Sequence, residues 1–299
     1  MEPVALRPLS FGEILDTSFN LFKRNFKSAV IVSAVIMVPL TLLGAAATAG
    51  LAPADLAAIE DPNASVEEVL SLMGALFGAI GIGTLLQLLG SILVQAATTR
   101  IYSENYRGIK IDPGDALRFG LRRLPAMIGL TLVTSIGMLI GFILCLAPGI
   151  WLYAAWGLAP AALIAEGAGP IQSLRRSFAL VKGSWWRVFA MLFVASLLVA
   201  VITSVVTAPI QFAVTFGSGF ADSPDTAMGG FLAANTLISG LATALTLPFS
   251  AAIVVALYFD QKVRKEGFDL ERLIADLGEP PGAVAPPNTA DPSDPFGLG

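Results

Sequence analysis

The chain has 299 residues, of which 55% are hydrophobic and only 13% charged, with a net charge of −4. A soluble domain carries roughly 25% charged residues, and the mean hydropathy here is +0.76, so the composition excludes a soluble globular protein and indicates a polytopic membrane protein. Histidine is absent and Cys145 is the one cysteine, which removes the commonest general base, the commonest metal ligand and any disulfide within one chain.

Residues 10–27 read as an amphipathic helix. Ser10 and Glu13 form a capping-box pattern, and Phe11, Ile14, Leu15, Phe19, Phe22 and Phe26 share one face. An uncharged span follows at about 28–50. Ala47-Thr48-Ala49 resembles a signal-peptidase site, but the long approach and long apolar core favour an uncleaved span. The second span, about 69–99, carries Gly74-x-x-x-Gly78 and a polar face of Thr84, Gln87, Ser91, Gln95 and Thr98. Residues 113–123 form a weaker amphipathic helix with Leu117, Leu121 and Leu124 on one face.

Spans three and four, about 124–146 and 150–165, make a hairpin with its turn at Ala147-Pro148-Gly149, and Gly137-x-x-x-Gly141 is a second close-packing signal. Glu166 closes span four and is expected to face water or Arg175 and Arg176. Residues 170–187 are again amphipathic, with Pro170 at the first helical position and a stripe of Ile171, Leu174, Phe178, Val181 and Trp185. Span five, about 188–214, adds Ser196, Thr203, Thr207 and Gln211 on one face. Span six, about 229–258, adds Asn235, Ser239, Thr243, Thr246 and Ser250. A last interfacial helix is expected at 268–277, which completes a membrane domain over 1–277; the Pro-rich acidic tail 278–299 is expected to be disordered.

The expected fold is therefore all-α: a six-span bundle in three units of interfacial helix plus helical hairpin. A Phe-x-Leu-x-basic pattern marks each unit, at Phe19, Leu21 and Lys23, at Phe119, Leu121 and Arg123, and at Phe178, Leu180 and Lys182. It returns after the last span at Phe268, Leu270 and Arg272. A helix with an aromatic stripe and basic flanks lies in the inner interface, apolar face down and cations towards lipid phosphates. Phe19, Lys23, Arg24, Phe119, Arg123, Phe178, Lys182, Trp185 and Trp186 are the candidate lipid-interface residues, and Tyr102, Tyr106 and Tyr258 are expected to join the tryptophans in an inner aromatic belt. All 18 Lys and Arg fall in the stretches 7–27, 100–123, 175–187 and 262–272. The connections 51–68 and 215–228 hold only acidic charges. The positive-inside rule then puts both termini in the cytoplasm.

No ionisable residue falls inside a predicted span, which argues against a buried proton relay. The aligned polar residues Gln87, Ser91, Thr203, Thr207, Asn235, Ser239 and Thr243 have two readings: hydrogen bonds between helices, or a weakly polar cavity. Nothing in the sequence supplies a nucleophile elbow, phosphate loop, zinc spacing or dinucleotide fingerprint, so no catalytic residue, cofactor or metal is expected, and no nucleic acid.

Three stretches carry a resemblance: LRPLSFGEILDTSFNLFKRNF, LAPGIWLYAAWGLAPAALIAEGAGPIQSLRRSFALVKGSWWRV and ALYFDQKVRKEGFDLE. They resemble a bacterial family of integral membrane proteins related to the glycerophosphoryl diester phosphodiesterase membrane domain. The resemblance implies an all-helical inner-membrane protein comprising the membrane part alone, since in that family the phosphodiester chemistry belongs to a separate soluble domain. Two functions lead, ahead of a lipid-modifying enzyme, for which the sequence offers no acid/base pair. One is a non-enzymatic scaffold or partner subunit that engages inner-leaflet lipids, other membrane proteins or a second copy. The other is a permease or flippase-like carrier using the polar faces of spans two, five and six.

Overall fold

The computed structural model describes residues 8–49, 65–218 and 224–278. The tail from 279, most of the first acidic connection and the middle of the second lie outside them. The described residues form α1 (Phe11–Arg24), α2 (Phe26–Ala49), α3 (Val66–Tyr106), α4 (Pro113–Leu144), α5 (Leu146–Trp156), α6 (Ala159–Glu166), α7 (Pro170–Val181), α8 (Trp185–Ser218) and α9 (Pro224–Gly278). Six stretches are long and apolar enough to cross a membrane: Phe26–Ala47, Val66–Tyr106, Pro113–Leu144, Leu146–Glu166, Trp185–Gly217 and Gly230–Gly267. The chain is a helical membrane protein.

Local chemistry sets the helix ends. The capping box at α1 forms, with the Ser10 N–H donating to Glu13 Oε2 at 2.7 Å and the Glu13 N–H donating to Ser10 Oγ at 3.4 Å. Ser65 and Glu68 repeat it at the start of α3. Helix α3 ends in a Schellman motif: Gly108 at φ 83° lets its own N–H donate to the Asn105 carbonyl and the Ile109 N–H donate to the Glu104 carbonyl, both at 2.9 Å.

Several expected boundaries shift. The amphipathic stretch 113–123 is not a separate helix, because Asp112 caps α4, which then runs unbroken through Pro125 into the span. Helix α9 likewise continues through 268–277 without a break; the side chains of its Phe268, Leu270 and Arg272 lie outside the described residues. The hairpin turns at extended Cys145, with φ −174° and ψ 155°, and not at Ala147-Pro148-Gly149. Pro148 instead occupies the first turn of α5, where a missing N–H costs nothing.

Span four is broken at Gly157 and Leu158, just before Pro160. Helix α7 repairs the break. Ser177 Oγ donates to the Ala155 carbonyl at 2.7 Å and accepts from the Leu158 N–H at 3.2 Å. Backbone groups freed inside a membrane need such a partner.

The buried core gathers at one end of the bundle, where the basic stretches converge. Helix α9 packs there against α1, α2, α3 and α8. Tyr102, Tyr258, Leu158 and Met191 are among its fully buried residues. At the opposite end the helices present Leu70, Phe77, Ile143, Leu144, Phe212 and Phe216 outward. So large an apolar surface suits hydrocarbon and not water. The two glycine motifs differ. A Cβ on Gly137 would lie 2.4 Å from the Trp156 ring, and one on Gly141 would lie 3.1 Å from Gly149 Cα, so this motif brings α4 close to α5; Gly74 and Gly78 approach nothing within 4 Å.

Candidate functional site

The repeated block sorts its residues three ways. In α1 Ser18 and Leu21 are buried while Phe19 is 57% exposed. In α7 Ser177 and Leu180 are buried while Phe178 is 38% exposed. Lys23, Arg24 and Lys182 are exposed beside them. The single apolar stripe expected for each helix is thus two adjoining faces, one docked on the bundle and one outward. Leu174 and Val181 dock, whereas Ile171 faces out. The third copy does not dock this way: it has Arg118 where the others have serine, Leu121 is exposed, and Ala116 and Gly120 make the buried contact.

The expected aromatic belt is only partly present. Trp186 is 76% exposed, and Trp185 donates from Nε1 to the Trp151 carbonyl at 3.2 Å. Tyr102, Tyr106 and Tyr258 are instead buried within the protein, where Tyr106 stacks on Phe259 with ring centroids 4.4 Å apart. Tyrosines near an interface also serve as core residues once a neighbouring helix covers them.

Two ion-pair networks close the basic end. Asp260, with 0% side-chain exposure, accepts from the Leu9 N–H at 2.8 Å, from Arg264 Nε at 3.0 Å and from Arg187 at 3.4 Å. The Leu9 carbonyl accepts from both arginines in return. Glu166 Oε1 accepts from the Tyr258 hydroxyl at 2.6 Å, from Arg176 Nε at 2.9 Å and from Lys262 Nζ at 3.2 Å. Arg176 also bonds Glu266. Burial opposes the charge on Arg176, but Glu266 and Glu166 outweigh it and hold the guanidinium above its ordinary pKa. The expected Glu166–Arg176 pairing is present; the bonds of Glu166 to Tyr258 and Lys262, and of Asp260 to Leu9 and Arg187, join residues far apart in the sequence.

The polar faces converge only in part. Between α2, α3 and α9 lies a cavity of about 280 Å³, lined by Thr84, Gln87, Asn235, Thr236 and Ser239 with Gly44 and Gly83. The side-chain amides of Gln87 and Asn235 have no protein hydrogen-bond partner among the described residues. The remaining candidates lie elsewhere. Ser91, Thr203, Thr207 and Thr243 each donate back to a carbonyl of their own helix, at 2.8, 2.7, 2.9 and 2.7 Å. Such back-bonding satisfies a hydroxyl without a neighbouring helix, and no described residue of span five lines this cavity.

A second recess, of about 580 Å³, lies at the basic end where α3 gives way to α4. Its cations are Arg100, Lys110, Arg118 and Arg122, and its carboxylates are Glu104, Asp112 and Asp115. The Arg100 guanidinium sits 4.5 Å from the Phe119 ring centroid, and Arg123 lies 6.0 Å from the same ring. Phe119 and Arg123 belong to the repeated motif, but the recess itself has no sequence signature because it forms only when the chain folds back at Gly108.

These features define a helical membrane protein with charged networks at one end and a polar cavity among its spans. A family profile described as "Domain of unknown function (DUF7847)" matches residues 114–261. The chain is also 27% identical over 184 residues to a UPF0259 membrane protein of Photorhabdus laumondii, an alignment covering 58% of this chain and 72% of that protein. No solved structure matches. Both similarities agree with a bacterial membrane protein family, and neither name mentions a phosphodiesterase.

Proposed function

We propose that this chain is a non-enzymatic protein of the bacterial cytoplasmic membrane, a scaffold or partner subunit that engages inner-leaflet lipids, with both termini in the cytoplasm. The observation that carries the reading is the sorting of the repeated block. Ser18, Leu21, Ser177 and Leu180 dock on the bundle, while Phe19 and Phe178 turn outward beside Lys23, Arg24 and Lys182. An aromatic face flanked by cations suits the headgroup region of an anionic leaflet. The resemblance to the membrane domain that accompanies some phosphodiesterases fits a partner subunit of this kind. The test is the phospholipid that co-purifies with the wild-type chain in mild detergent. Its anionic fraction is expected to exceed that of the whole membrane; an identical composition would sink the reading.

A second reading, a carrier, is favoured by the cavity at Gln87 and Asn235. Two amides without protein partners inside spans call for water or a polar guest. Cysteines at these two positions are expected to react with a small water-soluble thiol reagent in the folded protein, and one at Thr203 to remain slow. Equal inertness at all three would leave the carrier without support.

A further inference from the structure

We propose that the recess between the end of α3 and the start of α4 binds a phosphate group, carried on a lipid headgroup; this rests on the inner-leaflet reading and gives it a defined site. Arg100, Lys110, Arg118 and Arg122 outnumber Glu104, Asp112 and Asp115 in the recess, and two of those carboxylates already face an arginine. Glu104 is paired with Arg100 at 2.6 Å and Arg107 at 3.5 Å. Asp112 accepts from the Gly114 N–H at 2.9 Å as the cap of α4. Asp115 lies 3.9 Å from Arg118. Lys110 and Arg122 have no carboxylate within 4.0 Å among the described residues. The recess therefore presents two cations without an ion-pair partner against one such carboxylate, Asp112, with Arg118 held only at the edge of ion-pair distance. Phosphate is the anion that an arginine fork matches best.

The wall between the charges is apolar. Ile109, Ile111 and Phe119 line the same recess, and Ile109 is 53% exposed. Apolar residues beside cations fit the glycerol and upper acyl carbons of an amphiphile, where a free anion has no use for them. A volume of about 580 Å³ falls in the range of small-molecule sites, roughly 300–1,000 Å³.

The experiment uses the full chain in mild detergent, with native mass spectrometry counting retained phosphatidylglycerol against phosphatidylcholine, with and without inorganic phosphate. Lys110→Gln with Arg122→Gln is expected to weaken phosphatidylglycerol retention about tenfold or more, since each cation contributes near a phosphate. The matched charge loss Lys27→Gln with Arg175→Gln, at exposed positions outside the recess, is expected to leave it near wild type. Arg122→Lys, which keeps the charge, restores binding if the recess is the site and guards against misfolding. Displacement of the lipid by inorganic phosphate identifies a site that takes the free anion as well; retention against it identifies the lipid as the ligand. Equal losses in both double variants, or none in either, overturn the recess while the broader lipid reading stands. A wild-type chain with no preference for phosphatidylglycerol overturns both.

Discussion

Asp260 is held between Leu9 at the start of the chain, Arg187 at the start of α8 and Arg264 one turn further along α9. A carboxylate with no exposed side-chain surface is retained only when its lone pairs are filled, and here a backbone N–H and two guanidinium groups fill them. Replacing it with asparagine keeps the shape but leaves two arginines facing a neutral amide. Both arginines keep about 30% exposure, so solvent absorbs part of the loss. Asp260→Asn is expected to destabilise the fold by roughly 1–3 kcal/mol. Thermal unfolding in detergent, followed by tryptophan fluorescence, measures this, and a wild-type melting curve would show the network to be idle. Near Asp260 the sequence offers only Arg264, four residues on along the same helix. The main-chain partner of Asp260 lies 251 positions away, and hydropathy alone ends span six just before it. Glu166 was legible beside Arg175 and Arg176 because those partners are close in sequence. Its bonds to Tyr258 and Lys262 depend on how α9 packs against α6.

At the scale of helices, the repeat of serine, phenylalanine, leucine and a basic residue was visible in the sequence, and its amphipathic character follows from a period of 3.6 residues. Periodicity does not say which apolar residues meet protein and which meet lipid, because both environments accept leucine and phenylalanine. That is why the stripes of α1 and α7 split into two faces. The two serines also differ in consequence. Ser18 Oγ donates to the Ile14 carbonyl of its own helix at 2.6 Å, a bond that adds little. Ser177 bridges two backbone groups freed by the break in span four. Ser177→Ala is expected to cost about 1–3 kcal/mol by leaving the Leu158 N–H unsatisfied, and Ser18→Ala distinctly less. Melting temperatures of the two variants in the same detergent decide the order, and a larger loss at Ser18 would contradict this account of the repeat.

The whole molecule is packed tightly at its basic end and opens towards the other, where exposed leucine, isoleucine and phenylalanine dominate the helix surfaces. A membrane protein folded in this way has its strongest electrostatic order where the positive-inside rule puts the cytoplasm. The orientation is testable with single cysteines in a Cys145→Ser background, which is needed because the native thiol is exposed. Ser103 lies in a basic stretch but makes a poor reporter, since it is fully buried and would stay silent in either orientation. Glu67 and Asp115 serve better: both are exposed, the first in the opening turn of α3 and the second in that of α4. An impermeant maleimide added to intact cells is expected to label Glu67→Cys, and to label Asp115→Cys only after permeabilisation. The opposite pattern would invert the threading and move the basic recess to the outer leaflet. Labelling of both positions in intact cells would mean that the helix between them does not cross. Each substitution removes one carboxylate and no basic residue, so the Lys and Arg bias that sets the orientation is unchanged.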